Sequence, residues 1–149
     1  MPDAIPVWMW GGLAALALGL LLTRKKSSSD ATSRAAFEPV DRMMHEILRK
    51  GSGDRPGRHD RVAVHYTGWL PDGTVFDSSI PRRQPLRFAA GRGEVITGWD
   101  ETVLDMQVGE TRVVTIPPDK AYGDRRMGPI PAGSCLRFEM TLETIDRLS

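Results

Sequence analysis

The sequence predicts an α+β domain, several antiparallel strands packed on one short helix, preceded by a single transmembrane helix. Three observations predict it. Residues 136–143 alternate, with Leu136, Phe138, Met140 and Leu142 on one face and Arg137, Glu139, Thr141 and Glu143 on the other, the period of a half-buried strand. Ile96, Trp99, Val103 and Met106 are spaced three, four and three residues apart, so they share one face of a helix. Residues 4–23 carry no charged side chain and, at about 1.5 Å per residue, cover roughly 30 Å, the thickness of a hydrocarbon core.

The membrane segment comes first in the chain. Trp8 and Trp10 stand near one end, as interfacial aromatics do, and Arg24-Lys25-Lys26 closes the other. Pro6 falls in the first turn, where its missing N–H costs little. A cleaved signal peptide is the competing reading. It would place a basic region before the apolar run and small residues at a cleavage site after it. Here only Asp3 precedes and the basic cluster follows, which favours an anchor. Because Lys and Arg stay on the cytoplasmic side, the domain is expected to face the cytoplasm. The segment has no charged face, which argues against surface binding as an amphipathic helix.

Residues 24–36 combine the basic cluster with a small, polar, non-periodic stretch and are expected to form a flexible linker. The folded domain is expected over residues 37–149. Within it, Val62, Val64 and Tyr66 alternate with Ala63, His65 and Thr67, a strand pattern. Pro71-Asp72-Gly73 supplies turn chemistry, and residues 74–77 begin a return strand. Residues 112–116 form a β-branched run ended by Pro117-Pro118. Residues 43–48 suit a strand or a short helix. Gly109 is a stop for the helix that carries Trp99.

Composition limits the chemistry. The 149 residues hold 20 basic and 19 acidic side chains, a net charge of +1 that gives no sign of nucleic-acid binding. Cys135 is the only cysteine, which excludes an intrachain disulfide framework and any multi-cysteine metal site. His45, His59 and His65 have no ligand spacing, and there is no Gly-x-Ser-x-Gly elbow or phosphate loop. Gly91-Arg92-Gly93 lacks the third glycine of a dinucleotide fingerprint and is expected to be a turn. No metal and no cofactor is implied.

What remains is a set of short motifs rich in aromatic and aliphatic residues: Val64-His65-Tyr66-Thr67-Gly68, Asp72-Gly73-Thr74-Val75-Phe76-Asp77-Ser78-Ser79, Glu94-Val95-Ile96-Thr97-Gly98-Trp99, Ala121-Tyr122-Gly123 and Ile130-Pro131. In this order and spacing they closely resemble the FKBP-type peptidyl-prolyl isomerases, the macrolide-binding immunophilins. The resemblance runs from about Arg55 to Glu143, with a weaker lead-in over residues 47–54. It implies a twisted antiparallel sheet wrapped around the short helix, with a shallow apolar pocket between them.

It also implies a site. Trp99 forms the floor, and Tyr66, Phe76, Val95, Ile96 and Phe138 form the walls, with Ile130 on the loop side. Asp77 and Tyr122 are the polar members, the Ile96 backbone N–H binds a carbonyl, and Arg82 helps to fix the aspartate. Asp77, Tyr122, Ile96 and Trp99 are therefore the expected catalytic group. Leu86 stands where many members carry an aromatic wall, and the loop over residues 124–129 is one residue shorter, with two arginines. Taken without the resemblance, Trp99, Phe76 and Phe138 read first as core, Asp77 as a loop cap or ion pair with Arg82, and Tyr122 as a satisfied core tyrosine. His65 and Glu94 read as structural, and Arg125 and Arg126 as a solvated loop that could also meet an acidic partner or lipid head groups. The expected partners are proline-containing polypeptides, a macrolide inhibitor and a membrane. The alternative function is a tethered, non-catalytic proline-segment binding module or chaperone.

Overall fold

A computed structural model describes residues 36–147. The expected membrane helix over residues 4–23 and nearly all of the expected linker lie outside that range. Among the described residues no helix is long and apolar enough to cross a membrane.

Among the described residues six strands form one antiparallel sheet around one α-helix. In chain order they are β1 (Met44–Arg49), β2 (Arg61–Trp69), β3 (Val75–Ser78), β4 (Leu86–Ala89), α1 (Thr97–Asp105), β5 (Thr111–Ile116) and β6 (Leu136–Asp146), with a 3₁₀ turn at Pro118–Lys120. The sheet order is β1-β5-β6-β2-β3, and β4 pairs with β2 as well. The ambiguous 43–48 segment is strand β1. All six of its residues are exposed, so pairing with β5 rather than burial holds it in place.

The alternation that predicts β6 is observed through Leu142, where the even residues from Leu136 are buried. The register against β2 then shifts between Ala63 and Val64. This bulge at Glu143 turns Ile145, rather than Thr144, toward the core. The predicted helical stripe is buried throughout: Trp99 and Val103 lie inside α1, while Ile96 and Met106 are its two cap residues. Gly98 allows the helix to approach the sheet closely, since a Cβ there would lie 2.7 Å from Ile116 Cγ2.

The edge of β2 is shared between two partners. Thr67, Gly68 and Trp69 pair with β3, and residues 61–64 pair with β4. Tyr66 falls at the change of partner, where residues 79–85 leave the sheet. That gap positions the candidate site.

Candidate functional site

Four aromatic rings meet in the core beneath this gap. Tyr66 and Phe138 come from facing strands, Phe76 from β3 and Trp99 from α1. Trp99 packs edge-on against Tyr66 (centroids 4.9 Å apart) and Phe138 (5.3 Å), and Phe76 packs edge-on against Phe138 (5.5 Å). Such pairs contribute about 0.5–1.5 kcal/mol each beyond area burial. Gly68 makes this packing possible, because a Cβ there would stand 2.6 Å from Phe76 Cζ and 2.8 Å from Phe138 Cε1. Val95, Ile96, Tyr122 and Ile130 belong to the same buried cluster, and Leu86 packs against it while remaining partly exposed. Leu86 lies opposite Val64 in the β2–β4 ladder. The buried indole N–H of Trp99 has no hydrogen-bond partner among the described residues. An unmatched buried donor costs about 1–3 kcal/mol and calls for a functional explanation.

The polar members meet at Tyr66. Its hydroxyl donates to Asp77 Oδ2 (2.6 Å) and accepts from Arg82 Nη2 (3.1 Å), while Arg82 Nη1 donates to Asp77 Oδ1 (3.2 Å). The Ser78 N–H donates to the same carboxylate oxygen (2.8 Å). Asp77 is fully buried and the Arg82 side chain is 28% exposed, so the cation reaches from the carboxylate to the surface. Burial pushes the Asp77 carboxyl above its ordinary value, although the Tyr66 hydrogen bond, Arg82 and the Ser78 N–H pull it down. Burial, reinforced by the Asp77 charge, also raises the Tyr66 phenol above its ordinary value. The ion pair that residue chemistry alone allows for Asp77 is formed, and the Tyr66 hydroxyl joins it to the aromatic cluster.

Loops fix the remaining members. Asp100, in the first turn of α1, accepts the Gly91 N–H at 2.8 Å and the Gly93 N–H at 2.9 Å. The expected turn at Gly91-Arg92-Gly93 is thereby tied to the helix just before Val95 and Ile96. Ile96 is the N-cap of α1 with extended backbone (φ −61°, ψ 153°) and no side-chain cap. Among the described residues no backbone acceptor takes its N–H, which leaves this donor unused by the scaffold. Tyr122 follows the 3₁₀ turn, which Lys120 fastens to Glu101 of α1 at 2.8 Å. Glu94 has a scaffold contact, accepting the Ala89 N–H (3.0 Å).

Ser78, Ser79 and Phe88 carry no assigned role in the sequence reading. Ser78 Oγ donates to the Tyr66 carbonyl (3.1 Å), and Ser79 Oγ accepts the Tyr66 N–H (2.8 Å). With Asp77, three consecutive residues therefore hold Tyr66 by its hydroxyl, carbonyl and amide. His65 Nδ1 is 2.7 Å from Ser79 Oγ. Phe88, on the unforeseen strand β4, lies against Trp99 at 5.8 Å. The Asp77-Ser78-Ser79 run is visible in sequence, but its bonds to β2 depend on the antiparallel register.

Among the described residues no group of His, Cys, Asp and Glu could hold a metal ion. A cleft of about 340 Å³ bordered by Gly53, Asp54, Val108, Glu143, Thr144, Ile145 and Arg147 shares no residue with the site.

Comparison with known proteins agrees with the fold. A profile of the FKBP-type peptidyl-prolyl cis-trans isomerases matches residues 53–143. The FK506-binding protein 2 of Aspergillus fumigatus is 56% identical over 88 residues, covering 58% of this chain and 66% of that protein; the match thus spans just under two thirds of that relative. The FK506-binding protein 1 of Aspergillus oryzae is 46% identical over 111 residues, covering 68% of this chain and 96% of that protein. The crystal structure of AtFKBP13 superposes with a TM-score of 0.67 at 36% identity, covering 69% of this chain and 92% of that one.

Proposed function

We propose that this chain, which belongs to the FKBP-type peptidyl-prolyl cis-trans isomerases, accelerates rotation about X–Pro bonds in polypeptides near a membrane. The observation that carries the reading is the Tyr66–Asp77–Arg82 hydrogen-bonded cluster set directly against the Trp99 and Phe138 rings. A binding surface for apolar segments alone has no need of a buried carboxylate beside those rings.

The uncatalysed barrier is about 18–20 kcal/mol, because amide resonance is lost as the bond twists. No bond is broken, so neither nucleophile nor acid–base pair is required. A planar amide is strongly polar and well hydrated; the twisted amide is less so. An amide drawn in against the apolar side chains of Trp99, Tyr66, Phe76, Val95, Ile96, Ile130 and Phe138 exchanges that hydration for apolar contact, which favours the twisted form. The Ile96 N–H and the Tyr122 hydroxyl hold substrate carbonyls, and the Asp77 carboxylate, fixed by Tyr66 and Arg82, favours the rotated carbonyl electrostatically. A thousandfold acceleration requires only about 4 kcal/mol. The same site accepts a macrolide, with Leu86 shaping affinity at the rim.

The uncharged stretch over residues 4–23 supports a single-pass anchor, and Arg24-Lys25-Lys26 supports a domain, residues 37–149, that faces the cytoplasm. The test is an X–Pro isomerisation assay on the full chain in detergent, with and without a macrolide. Turnover that the macrolide blocks supports the isomerase. Peptide binding without turnover would assign the binding module instead. Cleavage of the domain by protease added outside intact membranes would overturn the orientation.

A further inference from the structure

Two loops that adjoin site residues, one at Arg82 and one between Tyr122 and Ile130, carry positive charge that the isomerase reading leaves unused. Arg82 leads from the buried carboxylate to solvent and so marks the rim of the site. Arg83, next to it, is exposed and held at φ 54° in a turn closed by its N–H to the Ile80 carbonyl (3.0 Å). Left-handed backbone is unfavourable for any residue with a Cβ, so this position supplies its arginine side chain at the expense of backbone energy.

The second loop is equally fixed. Arg125 N–H donates to the carbonyl of buried Tyr122 (3.1 Å), and Met127 and Ile130 exchange two backbone hydrogen bonds of 2.9 Å. Tyr122 and Ile130 both pack into the aromatic cluster, and Arg125 and Arg126 are exposed between them. Among the described residues Arg87, Arg112, Arg147 and Lys120 have ion-pair partners, whereas Arg83, Arg125 and Arg126 have none. Asp119 and Asp124 are the acids nearest in sequence to the second loop, and residues 79–85 hold none. They leave the rim basic.

We propose that Arg83, Arg125 and Arg126 set a substrate preference: X–Pro segments with a carboxylate one to three residues from the proline are turned over faster than neutral or basic ones. This rests on the isomerase reading. A peptide fits these charges better than lipid head groups do, because both loops are anchored through Asp77, Tyr122 and Ile130 of the site itself. Exposed charges attract weakly and are screened by salt, so the preference is several-fold and salt-sensitive.

The test uses the full chain in non-ionic detergent and three Ala-Pro peptides that carry Glu, Ala or Lys two residues after the proline. The expected kcat/KM for the Glu peptide exceeds that for the Lys peptide by roughly fivefold at low salt and by less than twofold at 0.5 M salt. The triple variant Arg83→Gln, Arg125→Gln, Arg126→Gln loses the difference and keeps the Ala-peptide rate, which also shows that it folds. Equal rates for Glu and Lys peptides, with the Ala peptide turned over normally, would overturn the preference alone. So would a preference that persists in the triple variant, or equal peptide rates with activity altered only by anionic lipid, which would assign the arginines to head groups. No turnover of any peptide would sink the isomerase reading and the preference with it.

Discussion

Asp77 and Glu110 are both buried carboxylates held by an arginine, yet their surroundings differ. Glu110 pairs with Arg112, and both are almost wholly buried. Arg112 also binds the Asp105 carboxylate at 3.1 Å and its carbonyl at 3.4 Å, and Arg55 reaches the same carbonyl at 3.0 Å. Two guanidinium groups thus meet the C-terminal end of α1, where unpaired carbonyls and the helix dipole favour cations. That cluster closes on the scaffold. Around Asp77 the cation stays near the surface, the other partners are the Tyr66 hydroxyl and the Ser78 N–H, and burial leaves the carboxyl with a raised pKa. The exposure of the arginine separates a fastening from a site.

The largest effect expected from this contrast is on stability. Arg112→Ala leaves Glu110 buried and unpaired and should cost about 3–5 kcal/mol in urea denaturation. Its kcat/KM per folded molecule should be unchanged. Arg82→Ala, at a partly exposed pair, should cost only about 1 kcal/mol after allowance for solvent screening. Equal losses in the two variants would erase the distinction.

Asp77→Asn should act the other way round. Charge-assisted hydrogen bonds contribute about 1.5–3 kcal/mol, which as transition-state stabilisation corresponds to roughly a ten- to hundredfold fall in kcat/KM. A pH series sharpens this. The folded carboxyl binds its proton more tightly than the ordinary value of 3.8, so its contribution to stability is full below the unfolded value and is lost as pH rises through the folded one. The wild type should therefore hold its greatest advantage over Asp77→Asn in acid, near pH 3.5, and lose part of it by pH 7. Isomerase activity should run opposite, falling as acid protonates Asp77, and Asp77→Asn should show no such limb. The smallest effect is expected for Tyr66→Phe, which removes one hydroxyl and leaves Arg82 and the Ser78 N–H on the carboxylate. A loss of about 1 kcal/mol in activity, some fivefold, should appear in kcat/KM.

Legibility in the sequence followed burial. β6 and the α1 stripe were readable because one face of each is packed, which imposes a period on residues such as Phe138 and Trp99. β1 has six exposed residues and therefore no period to distinguish strand from helix. β4 is four residues long with exposed Arg87 between Leu86 and buried Phe88, and it is a strand because β2 offers it an edge. Within the site, the aromatic and acidic members could be named from the motifs. The hold of Ser78 and Ser79 on Tyr66 could not, since those bonds follow from the β2–β3 pairing at Thr67–Ser78 and Gly68–Asp77. The Ile96 N–H was nameable only through the resemblance, because its physical basis, a helix start without a side-chain cap, is a property of the fold.

The most direct test compares full-chain wild type with Asp77→Asn in an Ala-Pro isomerisation assay at neutral pH, with folding of both checked by near-ultraviolet circular dichroism. The site described here predicts turnover by the wild type and a loss of at least tenfold in a fully folded variant. Equal activity of the two folded proteins would contradict it.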